Sequence, residues 1–347
     1  MYIRKIIVAV LLLGVVIGGV MVYNIYTAIF SSNTSFQNKE AFIFIPTNST
    51  FNDVLTITEP LLSDASSFEL VAKKKGYSSN VKAGRYIITK GMSNNDIVNT
   101  LRSKNSPIRV SFNNQETLEK LAGRIATQIE ADSMSLITAF KDEAFMQETD
   151  FDSKTALGMY IPNTYEFFWN TSAAQFRDRI LKEYKAFWNT SRMEKLAKVN
   201  LSKSQAITLA SIVHEETVKI DERPRVAGVY LNRIRQGIPL QADPTVIYAI
   251  KEHTNDFDTV IKRVLYKDLE IDSPYNTYKY KGLPPGPITM PDVSAIDAVL
   301  NHEKHEFLYF VADVTNFGYH KFAKTLAQHN QNKASYIKWI NAQNIKR

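Results

Sequence analysis

The first feature of the hydropathy pattern is a long apolar run near the N-terminus. No charged residue occurs between positions 6 and 30, and Arg4 and Lys5 stand directly before the run. About 20 apolar residues suffice to cross a bilayer as a helix. Because basic flanks favour the cytoplasmic side, the pattern predicts a cytoplasmic tail at 1–5, a transmembrane helix at 6–30 and an extracytoplasmic remainder. A cleaved signal peptide is the alternative, although its apolar core is usually about 7–15 residues long.

Beyond this run the pattern changes three times. Residues 31–41 are polar and predict a linker. Alternating short strand and helix patterns over 42–105 predict a small α+β module, and 106–155 is predicted to be a connecting segment with one strand followed by helices. Long helical patterns and most of the prolines occur in 156–347, which predicts a larger mixed domain. The predicted fold class is α+β.

A helix predicted to begin near Ser202 carries two adjacent glutamates towards its end. Ser202 and Gln205 match the capping-box pattern that marks a helix start. The residues that share one face at helical spacing are Leu209, Ile212, Val213, Glu216 and Ile220. Glu216 is therefore predicted to lie on an apolar stripe. The more polar residues predicted beside Glu215, about 100° away, are Thr208, Ser211 and Lys219.

A glutamate on an apolar stripe has two interpretations. Burial disfavours the charged carboxylate and raises its pKa, and a carboxyl that stays protonated near neutral pH can act as a general acid. The alternative is a structural ion pair of Glu216 with Arg223, Arg225 or Arg233. A zinc site is disfavoured, because Val218 stands where the HExxH motif needs its second histidine.

Charge and composition narrow the class of partner. The 347 residues carry a formal net charge of +7, and the pI is about 9.2. This balance favours anionic surroundings such as acidic polysaccharide, acidic lipid or nucleic acid. No block of basic residues alternates with aromatic ones, which disfavours nucleic acid. Cysteine is absent, which excludes disulfides and thiolate metal sites.

Several loop segments after residue 222 are rich in Asn, Asp, Tyr, Thr, Pro and Gly. Aromatic faces combined with amide and hydroxyl groups suit a sugar, whose rings have apolar faces and polar edges. Simple turn chemistry is the alternative for each of these segments taken alone.

Five segments, in this order along the chain, resemble the endolytic murein transglycosylases, the YceG-like family of bacterial cell-wall enzymes. They are YIPNTYEF, LASIVHEET, ERPRVAGVYLNRIRQGIPLQADPTVIYAI, YNTYKYKGLPPGPI, and FLYFVAD with the HKF, T and HN that follow it. The N-terminal anchor also matches. The region around VKAGRYIIT resembles the LysM-like subdomain of the family. The resemblance thus implies a LysM-like module at 42–105 and a catalytic domain at 156–347.

The resemblance implies a lyase of the lytic transglycosylase class that needs no cofactor and no metal. It implies cleavage of the β-1,4 bond between N-acetylmuramic acid and N-acetylglucosamine within nascent strands. The products have 1,6-anhydro-muramyl ends, and the cleavage ends glycan elongation. Glu216 matches the single catalytic glutamate of the family, whereas His214 replaces the usual first glutamate of the motif and Asn163 replaces a usual aspartate.

The implied setting is the cytoplasmic (inner) membrane, with a single-pass anchor and a periplasmic catalytic domain. The implied partners are peptidoglycan strands and the membrane-bound synthases that make them, and no nucleic acid is expected. The competing hypothesis is a non-catalytic peptidoglycan-binding scaffold of the wall-synthesis machinery.

Further residues are candidates for holding glycan or shaping the cleft. They are Tyr160, Asn163, Thr164, Asn232, Asp243, Tyr275, Asn276, Thr277, His329 and Asn330. Asp243 has a structural alternative, because an aspartate just before Pro244 can cap the helix that follows. A structural role is also the alternative for His329 and Asn330.

Overall fold

The computed structural model of the protein describes residues 2–342. The helices are α1 (Tyr2–Phe30), α2 (Phe51–Thr58), α3 (Ala65–Lys74), α4 (Asn94–Ser103), α5 (Leu118–Ala126), α6 (Ser133–Phe140), α7 (Glu143–Glu148), α8 (Ala173–Phe187), α9 (Thr190–Val199), α10 (Lys203–Glu216), α11 (Arg223–Arg235), α12 (Asp243–Thr254), α13 (Val293–Leu300) and α14 (Leu326–Ala342). The strands are β1 (Glu40–Ile45), β2 (Gly84–Thr89), β3 (Pro107–Phe112), β4 (Asn163–Phe168), β5 (Tyr309–Ala312) and β6 (His320–Ala323). They pair as β1–β2, β3–β4 and β5–β6. Helices combined with short sheets confirm the predicted α+β class.

The helix α1 covers the apolar run. Its 29 residues have a mean hydropathy of 2.8 in the most apolar window, and none of them is buried. It is therefore long and apolar enough to cross a membrane. At its end, the Asn94 Nδ2 group donates a hydrogen bond to the Ala28 carbonyl at 2.8 Å. This bond ties the end of the apolar helix to the start of α4.

The chain forms two compact units, and the first contains residues 2–110, 128–131 and 165–172. Its strands β1 and β2 pair antiparallel, with Ile43 opposite Tyr86, and both side chains are buried. Helix α4 begins with a capping box that Ser93 and Asp96 form. The LysM-like character of 42–105 stays a prediction.

The second unit contains, among the described residues, 111–127, 132–164 and 173–342, and α10 belongs to it. Helices α11, α12 and α13 all pack against α10. Every side chain from Ala206 to Val213 is buried. The predicted capping box is confirmed, because Ser202 Oγ accepts a hydrogen bond from the Gln205 N–H and Gln205 Oε1 accepts one from the Ser202 N–H.

The amphipathic pattern predicted for α10 is wrong in two respects. The helix ends at Glu216, where Thr217 turns to extended backbone, so Ile220 lies outside the helix and is 63% exposed. Thr208 and Ser211, predicted on a polar face, are buried. Ser211 Oγ donates to the Thr208 carbonyl and accepts from the Ile288 N–H. A helix surrounded by other elements buries its hydroxyls once each of them has a hydrogen-bond partner.

Candidate active site

Glu216 stands at the C-terminal end of the buried helix α10. Its side chain is only partly exposed. Tyr230 of α11, which is 1% exposed, donates its hydroxyl to Glu216 Oε1 at 2.5 Å. Phe310 of β5 packs edge-on against the Tyr230 ring, with the ring centroids 5.9 Å apart. The carboxyl is therefore held through one oxygen, and within residues 2–342 its Oε2 atom has no hydrogen-bond partner.

The surroundings of Glu216 favour its protonated form. Burial raises its pKa to about 7, and the negative charges of Asp243 and Glu215 act in the same direction. The hydrogen bond from Tyr230 and the charge of His320 oppose the rise but do not cancel it. A carboxyl with a pKa close to neutral can both donate and accept a proton at physiological pH.

The alternative interpretation of Glu216, a core ion pair, is wrong for all three arginines that the sequence offers. Arg223 pairs with Asp292, and Arg225 pairs with Glu303. Arg233 donates to the carbonyls of residues 239, 240 and 308 and to the side chain of residue 241. The partner that the structure gives to Glu216 is the neutral hydroxyl of Tyr230.

Glu215 differs from its neighbour as the sequence predicts. Its side chain is exposed, whereas that of Glu216 faces Tyr230. Within the described part of the chain, the Tyr230 hydroxyl donates a hydrogen bond to Glu216 and makes none to Glu215.

His214 takes part in a partly buried network with Arg223 and Asp292 on another side of α10. Arg223 Nη1 donates to both oxygens of Asp292 at 2.7 and 2.8 Å, and His214 Nδ1 lies 3.3 Å from Asp292 Oδ2. Arg223 Nε donates to the Thr217 carbonyl at 3.2 Å. Burial opposes ionisation of Asp292, but these hydrogen bonds outweigh it and hold its pKa well below the usual range. The network anchors the backbone directly after Glu216 to the start of α13.

A second histidine, His320 of β6, pairs with the buried Glu222. His320 Nδ1 lies 2.8 Å from Glu222 Oε2, and Glu222 Oε1 accepts from the His320 N–H at 2.7 Å. Glu222 is 4% exposed, so this pair fixes the histidine ring. His320 was not among the predicted site residues, although it lies in the HKF segment. The feature that identifies His320 as a site residue is its pairing with Glu222, which is 98 residues away along the chain.

The structure gives Asp243 a different role from the predicted helix cap. The N-cap of α12 is Ala242, Asp243 occupies the first turn, and no side-chain capping bond forms. The capping interpretation is therefore wrong. Asp243 Oδ1 instead accepts a hydrogen bond from the Tyr278 hydroxyl at 2.6 Å. Tyr278 was also missed by the sequence prediction, although it directly follows the predicted Thr277.

The predicted residues Tyr275, Asn276 and Thr277 are all buried. Asn276 Nδ2 donates to the carbonyls of residues 269 and 271. Thr277 Oγ1 accepts from the Ala242 N–H at 3.1 Å and lies 2.8 Å from the Thr245 hydroxyl. These contacts hold the loop against the start of α12, and so they place Tyr278 beside Asp243. A direct role of the three residues in binding stays a prediction.

The other predicted binding residues lie elsewhere in the fold. Asn232 Nδ2 donates to the carbonyls of residues 305 and 307, and Tyr160 packs in the core against Phe140. Asn163 and Thr164 begin β4. On α14, His329 stacks on Tyr309, and Asn330 is exposed. In the described part of the chain, no hydrogen bond joins one of these side chains to Glu216.

Comparison with known proteins gives concordant matches. The sequence model of the YceG-like family matches residues 43–335. An endolytic murein transglycosylase of Bacillus subtilis (strain 168) is 32% identical over 314 residues, which cover 85% of this chain and 84% of the relative. An endolytic murein transglycosylase of Streptococcus pneumoniae serotype 2 is 28% identical over 331 residues, and the match covers 87% of this chain and 59% of that longer relative. The crystal structure of the yceG-like protein lmo1499 from Listeria monocytogenes superposes with a TM-score of 0.56 at 30% identity, covering 85% of this chain and 99% of the other.

Proposed function

We propose a specific reaction for this chain, which belongs to the YceG-like family and is an enzyme of the lytic transglycosylase class. The proposed reaction is cleavage of the β-1,4 bond between N-acetylmuramic acid and N-acetylglucosamine within glycan strands. In this proposal the products carry 1,6-anhydro-muramyl ends. The observation that carries it is the Glu216 carboxyl, bound by Tyr230 through one oxygen and poised near a pKa of about 7.

The proposed reaction uses this one carboxyl twice. Protonated Glu216 donates its proton from Oε2 to the glycosidic oxygen while the bond from that oxygen to the muramyl C1 breaks. The resulting carboxylate then accepts the proton of the muramyl C6 hydroxyl as that oxygen forms the new bond to C1. The proton returns to Glu216, so the cycle needs no water. The Tyr230 hydroxyl stays on Oε1 and stabilises the carboxylate between the two steps.

The alternative of hydrolysis generally requires two carboxylates, one on each side of the bond. Asp243 is the attractive second acid, and its charge acts on Glu216. Its Oδ1 atom accepts a hydrogen bond from the Tyr278 hydroxyl at 2.6 Å, as Oε1 of Glu216 does from Tyr230, so each carboxyl keeps one free oxygen. Analysis of the products therefore separates hydrolysis from attack by the substrate's own hydroxyl.

Product analysis tests the proposed chemistry. We expect digestion of purified peptidoglycan by the full-length protein in detergent to give muramyl ends that are lighter by one water and cannot be reduced by borohydride. The ends should take up no oxygen from isotopically labelled water. Mass spectrometry measures both properties. Reducible, labelled ends would contradict the proposal and make Asp243 the leading second catalytic residue.

We further propose that α1 anchors the enzyme with its N-terminus in the cytoplasm and its catalytic unit outside. The support is the apolar helix Tyr2–Phe30 together with the basic pair Arg4 and Lys5. An anchored enzyme stays close to the membrane, so nascent strands and the synthases that make them are its proposed substrate and partners. A reporter fused after Arg347 should be active only outside the cytoplasm, and activity inside would refute this topology.

A further inference from the structure

A cavity of about 540 Å³ has Asp243 and Tyr278 in its wall. Residues 262–269 and the helix α14 form much of the rest of the lining. Asp243 begins α12, which packs against α10, the helix that ends at Glu216. The charge of Asp243 also acts on the Glu216 carboxyl. The cavity therefore lies near the candidate acid, on the side of the Asp243–Tyr278 pair.

The cavity carries an excess of positive charge. Lys262, Arg263 and Lys333 contribute to its lining, and Asp243 is the acidic residue of that lining. Within residues 2–342, the structure shows no ion pair or side-chain hydrogen bond for these three cations, whereas Asp243 is bound to Tyr278. Cations that lack a partner in the protein are free to bind an anion from outside.

Aromatic rings accompany the charges. Tyr266 and Tyr336 line the same cavity, and Tyr266 is 87% exposed. Exposed rings beside cations suit a ligand that joins an apolar face to an anionic group. A muramyl residue has this character, since its sugar ring carries an acidic peptide through a lactyl group.

We propose that this cavity, which we call the basic subsite, binds the carboxylates of the peptide borne by the muramyl residue next to the scissile bond. This inference rests on the proposed function, because it takes the strand to lie across Glu216. The phosphate groups at a strand end that is still attached to its lipid carrier are also anionic, so the same cations can bind them. The position of the basic subsite beside Glu216 favours the peptide, which recurs along the strand, over a phosphate that occurs only at its end.

The test compares two substrates that differ only in the peptide. One is purified glycan with its peptides, and the other is the same glycan after an amidase has removed them; neither carries lipid phosphate. We expect the full-length enzyme in detergent to have a higher kcat/KM on the peptide-bearing strands. The Lys262→Gln/Arg263→Gln variant should reduce that preference by about fivefold, mainly through KM, because exposed charge pairs are individually weak. Lys333→Gln should act in the same direction.

Two control variants separate charge from folding. The charge-preserving Lys262→Arg/Arg263→Lys variant should restore the preference. Neutralising two exposed lysines of α8, in Lys182→Gln/Lys185→Gln, should leave the preference as in the wild type.

The outcomes distinguish the inference from the proposed function. An equal loss on both substrates, or an unchanged preference, would overturn the basic subsite while leaving the proposed cleavage intact. An effect of the charge variants that appears only on strands with a lipid pyrophosphate end would overturn the peptide assignment in favour of phosphate. If the wild-type protein cleaves neither substrate, the proposed function itself fails.

Discussion

Glu216→Gln is expected to lower glycan cleavage by about 10²- to 10⁴-fold, which is the usual contribution of a general acid. The amide keeps the volume of the side chain and its hydrogen bond from Tyr230, but the NH2 group that replaces Oε2 is not acidic and cannot transfer a proton. The rate of release of soluble fragments from purified peptidoglycan measures the loss. Thermal unfolding of the same sample shows whether the fold is retained.

The matched control is Glu215→Gln, one residue earlier on the same helix. Its side chain is exposed, so most of the activity should remain. Equal losses in the two variants would contradict the assignment of Glu216. If Glu216→Gln left the biological effect of the protein intact, the non-catalytic scaffold would become the better description.

The pH dependence of the wild-type enzyme checks the same carboxyl. The proton donor is present below a pKa of about 7, so kcat/KM should fall as pH rises through that value. Folding stability should change in the same direction, because a raised pKa means that the folded state binds the proton more tightly than the unfolded chain. The difference between about 7 and the ordinary 4.5 corresponds to a loss of at most about 3 kcal/mol as pH rises from below 4.5 to above 7. Glu216→Gln should lose the part of each change that comes from this carboxyl, whereas the contributions of other titratable groups remain.

Arg223→Met is expected to lower the free energy of unfolding of the second unit by about 1–3 kcal/mol, the usual cost of leaving a partly buried polar group without its hydrogen-bond partner. The Arg223 side chain is 5% exposed and that of Asp292 is 35% exposed, and the substitution removes the Arg223 hydrogen bonds to Asp292 and to the Thr217 carbonyl. Asp292 also caps α13 through the Ala295 N–H. The melting temperature of the full-length protein in detergent, followed by circular dichroism, measures the effect.

Arg225→Met is the control for this prediction. Arg225 is two residues away on the same helix, but its pair with Glu303 is 45% and 42% exposed. Exposed pairs contribute about 0–1 kcal/mol, so its melting temperature should stay close to that of the wild type. Similar losses in both variants would show that α11 is sensitive to any substitution and that the Arg223 network is not special.

Features that depend on neighbouring residues could be predicted from the sequence. The apolar helix follows from an uninterrupted run, and the start of α10 follows from Ser202 with Gln205. Each of these signals acts within one turn or along one element, where side chains meet at fixed spacings. The choice of Glu216 over Glu215 as the candidate acid could partly be made from the sequence too, because helical spacing places the two side chains on different faces.

The surroundings of Glu216 depend on residues that are distant along the chain, and the tertiary structure alone decided them. The local pattern offered three arginines as partners, but packing of α11 on α10 brings the Tyr230 hydroxyl to the carboxyl instead. A capping role for Asp243 also fitted the local sequence, yet the loop held by Thr277 brings Tyr278 to it from 35 residues away. Burial of a helix on all its faces, as for α10, erases the polar and apolar periodicity from which faces are predicted. The pKa of Glu216 depends on these packed neighbours, because desolvation and nearby charges act through space and not along the chain.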